Sequence, residues 1–484
     1  MTAKPTPARG ALPLGRQAAP PRQAAGFVPD TGAASAMAGT LIADASEQHA
    51  LVIAPTGAGK GRAVLLPWLM SYRGSVIVVD PKGEAANVTA RCRREALGQR
   101  VSVIDPWGIH AASVGARGES LNPLQVMLDA STDLGDDCMT LAELIVGEAP
   151  ASTQDPFWRA LALDLVTALI GWVWVCELVT GRRCAHGPSL AAVWELLHAD
   201  DLACLLATWL DAHGKHPALP RFVHNGFVTF LHHEAERVRT SVLSEAISLL
   251  RVFGSARVQA ATTETTVPLA ALCGDEGEGE GEGEGEGEGE GEGGEGDGGA
   301  GEAGAAEGVS LYLVVPPDRL DSHAPYLRVM LGTLLGAMAR RTARPSLPTL
   351  FLVDELGHLG PIPQLRQATT LLRGYGVRVA LFVQSMAQLK GLWPREHETI
   401  LENCGLWLNF GNNSLAAARQ VAEQLGDVGA EALFQMPADH LAIHRAGQPT
   451  VIARKLDYLS DPLFKGRFDP NPLHPHSRSR SGLG

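Results

Sequence analysis

The stretch that most limits how this chain can fold runs from Ala50 to Met70. Four apolar residues, Ala50 to Ile53, read as a buried strand, and an apolar helical stretch follows from Ala63 to Met70. Between them lies Ala54-Pro-Thr-Gly-Ala-Gly-Lys60-Gly-Arg62, a tight turn holding two glycines and a lysine. Strand, glycine-rich turn, lysine and helix form the layout of a phosphate-binding loop. Small residues let backbone N–H groups close around phosphate oxygens, the helix N-terminus adds partial positive charge, and Lys60 supplies a mobile cation. Two positions depart from G-x-x-x-x-G-K-[ST]. Ala54 stands at the first glycine, and Gly61 replaces the hydroxyl residue that normally holds magnesium.

A second segment far downstream strengthens this reading. Pro348-Thr-Leu-Phe-Leu-Val-Asp354-Glu355 is an apolar strand ending in two carboxylates. In a Walker B arrangement the first acid holds the metal and the second polarises the attacking water. Paired acids after a strand also occur as plain helix N-caps. The two segments together, in this order and with further strands between and after, favour an ATPase.

The elements around these motifs suit a doubly wound α/β domain. Ser75 to Asp80 and Val101 to Asp105 read as further apolar strands, with an arginine-rich helix from Asn87 to Leu97 between them. After Leu121-Asn-Pro-Leu124 the pattern turns helical, so residues 129–253 are expected to form an inserted all-α domain. The strand pattern resumes at Val309 to Val315, then at the Asp354 strand, Val377 to Gln384 and Leu406 to Phe410. His440 to Ala446 and Thr450 to Leu456 flank Gly447-Gln-Pro449 as a hairpin. The expected division is a disordered tail over 1–40, a nucleotide-binding domain in two parts (41–128 and 254–470), and a C-terminal tail over 471–484. A disordered Glu-Gly linker over 274–308 interrupts the second part.

Composition narrows the reading only a little. The 484 residues exceed one small core and suit two domains plus tails. The formal net charge of −13 is local, because Asp275 to Glu307 carries 14 acidic residues and no basic one. The near-neutral remainder neither favours nor excludes nucleic acid, so any such surface must be a local patch. Seven cysteines without C-x-x-C spacing suit a reducing cytosol and argue against zinc. The most hydrophobic window, Ala160 to Val179, contains Asp164 and Glu177 and reads as a buried helix rather than a membrane span.

An ordered set of motifs resembles the coupling ATPases of type IV secretion systems, the conjugative DNA-transfer proteins. It comprises Ala54 to Gly61, Asp80-Pro-Lys-Gly-Glu84, Leu121-Asn-Pro-Leu124, Asp155-Pro-Phe-Trp158 and Pro316-Pro-Asp-Arg-Leu320. It continues with Asp354-Glu355-Leu356, Leu371 to Arg378 with Gln384-Ser385, Asn403-Cys-Gly405, Gly447-Gln-Pro449 and Lys465-Gly-Arg-Phe468. Members also carry Lys-Gly in the phosphate loop, as at Lys60-Gly61. The resemblance implies a RecA-like P-loop NTPase domain, a mostly parallel sheet between helices, with the all-α domain inserted in it. It further implies a homo-hexamer binding ATP and Mg2+ at subunit interfaces, and movement of single- or double-stranded DNA with its relaxase to a secretion channel. Family members normally begin with transmembrane helices. None is read here, so the expectation is a cytoplasmic protein, peripheral at the inner face of the plasma membrane or docked through a separate membrane anchor protein.

On this reading the nucleotide-binding residues are Thr56, Gly57, Ala58, Gly59, Lys60, Gly61 and Arg62, and Asp354 is the metal ligand. Glu355 is the residue for the catalytic water, and without a hydroxyl at position 61 the metal shell needs water or Thr56. Gln384, polar at the end of an apolar strand, is placed to sense the γ-phosphate. Arg373 lies in the family segment that supplies an arginine finger to the neighbouring subunit. DNA contacts belong on channel loops. Arg91, Arg93 and Arg94 are the densest basic cluster, equally well explained as a solvated helix face. His232-His233-Glu234 reads as helix surface, and Trp158, Trp172, Trp174 and Trp194 as core of the helical domain, where cargo would be recognised. Two other functions fit the same residues: a motor whose cargo is protein effectors, and a low-turnover ATP-binding adaptor.

Overall fold

The computed structural model describes residues 8–17, 39–116, 118–129, 131–147, 156–233, 235–274 and 308–472. Eleven strands form one sheet: β1 (Leu12–Gln17), β2 (Leu41–Asp44), β3 (Ala50–Ile53), β4 (Val76–Val79), β5 (Arg100–Ile104), β6 (Val309–Leu313), β7 (Thr349–Val353), β8 (Val377–Val383), β9 (Leu406–Asn409), β10 (His440–Arg445) and β11 (Val451–Arg454). Their order is β2-β1-β11-β10-β9-β3-β8-β7-β4-β6-β5. From β9 to β5 every pairing is parallel, whereas β10, β11, β1 and β2 add antiparallel strands at one side. The expected hairpin is β10–β11.

Both faces of the parallel part are covered, which is why its strands read as unbroken apolar runs. Alternate residues feed two cores. Leu51, Ile53, Ile77, Val79, Phe351 and Val353 face the helical block and the helix Ala324–Ala339. Ala50, Val52, Val76, Val78, Leu350 and Leu352 face the helices on the other side, among them Leu66–Leu69 and Glu84–Arg91.

Between β5 and β6 the described chain is helical throughout, from Pro123–Leu128 to Leu269–Cys273. Its centre is the 25-residue helix Pro156–Thr180, whose stretch Phe157–Thr180 is long and apolar enough to cross a membrane. Here the helix is packed inside the block: Leu165, Val166, Leu169 and Ile170 are buried, and Trp172 meets Trp209 and Phe227. Trp158, Trp174 and Trp194 are partly buried against the same core.

Two expected tails need correction. Residues 1–40 contain β1, which pairs with β2 and β11, buries Leu12 and Leu14, and ties Arg16 to Asp461 at 2.7 Å. Its Pro13 and Gly15 hid it, because they mark an irregular register that the two flanking strands stabilise. At the other end Asn471 is buried at 3 % exposure, so the ordered chain runs past the expected boundary at 470. The Glu-Gly tract from 275 to 307 lies outside the described residues.

Candidate active site

Parallel strands bring all their C-terminal ends to one edge of the sheet, and the loops there build the site. β3, β8, β7 and β4 are consecutive neighbours. The phosphate loop, Gln384, Asp354 and Asp80 therefore leave the sheet side by side.

In the phosphate loop Gly57 and Gly59 have φ of 80° and 88°, values that favour glycine. A β-carbon built on Gly57, Gly59 or Gly61 meets nothing within 4 Å, so the turn curls around open space. Lys60 Nζ lies 2.7 Å from Asp354 Oδ1 and 2.8 Å from Glu355 Oε1. Burial penalises the Lys60 ammonium, yet the two carboxylates outweigh that and raise its pKa. Burial likewise opposes ionisation of Glu355, but Lys60 prevails and holds its pKa below the ordinary glutamate value.

Glu355 is the only non-glycine among the described residues with positive φ, at 53°. Its N–H donates to Asp354 Oδ1 at 2.9 Å. Strain of this kind collects at functional sites. Gln388 braces the turn. It packs against Gly357, and its Oε1 accepts the Gln384 N–H at 2.8 Å.

These residues border a cavity of about 780 Å³, within the usual range for ligand sites. Gly57, Gly59, Lys60, Gly61, Arg62, Asp354 and Glu355 all line it. Thr56, Ala58 and Gln384 do not, although they sit on the same edge. Arg373 is exposed just before β8, at the opposite edge, separated from Gln384 by the strand's seven residues, about 23 Å. One chain does not bring Arg373 to its own phosphate loop.

Other lining residues were not assigned from the sequence. Asp80, Lys82 and Glu84 complete the wall beside Asp354, and Tyr458, Leu459 and Asn471 close the far side. Burial pushes the Asp80 pKa up to about 7, even though its Oδ2 accepts the Ala86 N–H at 2.8 Å. Asn471 Nδ2 donates to Glu84 Oε1 at 2.5 Å, and Arg62 forms an ion pair with Asp457. The run Ser75 to Asp80 carries the same strand-then-acid signal as Asp354. Nothing comparable marks residues 457 to 471.

Magnesium takes carboxylate and phosphate oxygens and keeps several waters. The Asp354 carboxylate on the cavity wall is a donor of that kind. Among the described residues no cluster of three His, Cys, Asp or Glu could cage a metal.

The basic cluster Arg91, Arg93 and Arg94 is split: Arg94 is exposed and Arg91 partly exposed, so the solvated-face reading fails only at Arg93. Arg93 is fully buried and bonds Ser310 Oγ at 2.7 Å, Leu69 O at 2.8 Å and Gly74 O at 2.9 Å. Arg91 pairs with Asp469, and Arg94 donates to Val114 O at 3.1 Å.

Comparison with known proteins agrees with this geometry. A family model described as "Type IV secretory system Conjugative DNA transfer" matches residues 22–276, and one described as "TraM recognition site of TraD and TraG" matches residues 348–435. Conjugal transfer protein TraG of Agrobacterium fabrum is 24% identical over 387 residues, covering 79% of this chain and 51% of TraG. Protein VirD4 of the same organism is 24% identical over 409 residues, covering 80% of this chain and 51% of VirD4. The chain thus spans about half the length of the curated relatives it matches. Plasmid coupling protein TrwB, solved with the GTP analogue GDPNP, has the same fold at a TM-score of 0.60 and 14% identity, over 84% of this chain and 85% of that one. TrwB solved with ADP and Mg2+ superposes equally well, also at 0.60. With more than half of its residues under the first of those two models, and with that sheet, the chain belongs to the type IV secretory system conjugative DNA-transfer family.

Proposed function

We propose that this chain is the ATP-hydrolysing motor of a coupling protein, moving relaxase-bound single-stranded DNA to a type IV secretion channel. One observation carries the reading: Lys60, Asp354 and Glu355 meet within 2.8 Å at the wall of a nucleotide-sized cavity. The nucleotide and Mg2+ complexes of TrwB support it.

In this mechanism the backbone N–H groups from Thr56 to Gly61 wrap the β-phosphate. Lys60 leaves its two carboxylates for the β and γ oxygens. Asp354 would hold Mg2+, which supplies charge neutralisation at the phosphates when bound. Glu355, released from Lys60, orients and deprotonates the attacking water. Gln384 senses the γ-phosphate, with Gln388 linking it to the Glu355 turn. Arg373, on the far edge of the sheet, serves the neighbouring subunit's site in a ring of six. The motor comprises residues 41–128 and 254–470 together with β1 and Asn471, and the insertion at 129–253 recognises cargo.

ATPase assays with and without single-stranded DNA, on the wild type and Glu355→Gln, test the proposal. DNA-stimulated turnover abolished by the substitution is expected. Intact ATP binding without turnover sinks the motor reading, and turnover indifferent to DNA turns the cargo into protein effectors.

A further inference from the structure

Two arginines converge away from the nucleotide cavity. Arg159, from the helix Pro156–Thr180, donates from Nη2 to the carbonyls of Val146 and, at 2.7 Å, Gly147. Arg328, from the helix Ala324–Ala339, lies against the same glycine: a β-carbon on Gly147 would sit 3.2 Å from its Cζ. Among the described residues neither guanidinium has a carboxylate within 4 Å, and Arg328 Nε is buried without a hydrogen-bond partner. Arg159 is accounted for as a cap on the C-terminal carbonyls of the helix Leu134–Val146. Among the described residues Arg328 makes no such bond.

We propose that Arg328, with Arg159 beside it, holds a phosphodiester of the translocated DNA strand, and so reports DNA to the catalytic turn. The inference rests on the motor reading above and deepens it. Two half-buried cations side by side repel and are poorly solvated, a pairing that an anion stabilises. Burial, and the neighbouring arginine in the case of Arg328, lower both pKa values; Glu245 is the acid acting on Arg159 through space. A phosphodiester suits the pair because its two free oxygens match the planar guanidinium fork, independent of base sequence.

The position supplies the coupling. Arg328 Nη1 lies 3.7 Å from where a β-carbon on Gly360 would be. Gly360 ends the one-turn helix Leu356–Leu359, and Glu355 begins it. A phosphate drawing Arg328 toward it acts on the segment that holds Glu355 in its left-handed conformation.

Fluorescence anisotropy of a labelled oligo(dT) against the full chain over a salt series tests this, for wild type, Arg328→Gln, Arg328→Lys and Arg159→Gln. Arg328→Gln is expected to weaken binding at least fivefold and to flatten the log K against log salt slope by about 0.7, one phosphate contact to a single strand. It should also lose DNA stimulation of ATP turnover, with ATP binding and melting temperature unchanged, while Arg328→Lys recovers the slope. Wild-type affinity and slope in both glutamine variants overturn the inference and leave the motor reading intact. Loss of ring assembly with an unchanged slope assigns the pair to a subunit contact and overturns it too. A wild type that neither binds oligo(dT) nor responds to it sinks both.

Discussion

Lys60 Nζ and Glu355 Oε1 lie 2.8 Å apart although 295 positions separate the two residues in sequence. The same ammonium reaches Asp354 at 2.7 Å, so one cation holds both acids. A phosphate must compete with them for Lys60, and its success frees Glu355.

Replacing Lys60 by methionine leaves two adjacent, largely buried carboxylates unpaired. Nucleotide binding should fall beyond detection, and stability should drop by roughly 2 kcal/mol at neutral pH. Lys60 depresses the folded-state pKa of Glu355, so that contribution is present above the unfolded value of 4.5 and fades as pH falls through the folded one. Melting temperatures of wild type and Lys60→Met should therefore converge toward acid pH. A gap that persists there would refute the ionic account.

Glu355 sits at φ 53°, a region costly for any side chain. Glu355→Gln and Glu355→Gly both remove the ion pair, but only glycine relieves the backbone. Both should lose turnover by a factor of about 10² to 10⁴. The glycine variant should be the more stable of the two by about 1 kcal/mol. Equal urea midpoints would show that the turn stores no strain.

Asp80 behaves in the opposite sense to Glu355. Its folded pKa of about 7 lies above the unfolded 3.8, so its contribution is complete below the lower value and lost as pH rises through the upper one. Asp80→Asn should match wild type near pH 4 and exceed it above pH 7 by roughly 2 to 4 kcal/mol. Thermal melts from pH 4 to 8 decide it; a constant difference would contradict the burial cause.

Arg93 is held by backbone carbonyls and polar side chains rather than by a carboxylate. Arg93→Met would leave those acceptors buried and unpaired, costing about 3 kcal/mol or more. Equilibrium unfolding should show that loss. A variant of wild-type stability with weakened DNA binding would restore the surface-patch reading.

If Arg373 acts in the neighbouring subunit, two inactive variants should complement each other. Arg373→Ala keeps its own phosphate loop, and Lys60→Ala keeps a usable arginine. Mixed rings contain some sites with both groups intact, so mixing should restore part of the ATPase activity. No recovery at any ratio would remove Arg373 from the trans role.

Residues near in sequence are enough to define the parallel core of this protein. Nine of the eleven strands stand where the sequence marks them: the seven parallel ones as apolar runs, because a strand buried on both faces must be apolar nearly throughout, and β10 and β11 as the arms of the Gly447-Gln-Pro449 hairpin. Gly57, Gly59, Lys60 and the Asp354-Glu355 pair are likewise legible, since turn geometry and strand-end acids are local properties. β1 is not, because Leu12-Pro-Leu-Gly15 is a strand only with β2 and β11 paired to it. Arg93 reads as surface for the same reason: its partners come from Leu69, Gly74 and Ser310, on other elements. Only the tertiary structure could put Arg373 at the edge away from the phosphate loop, close the cavity with Tyr458 and Asn471, and set Arg328 beside Arg159. Those placements depend on contacts between distant segments, which local propensity does not encode.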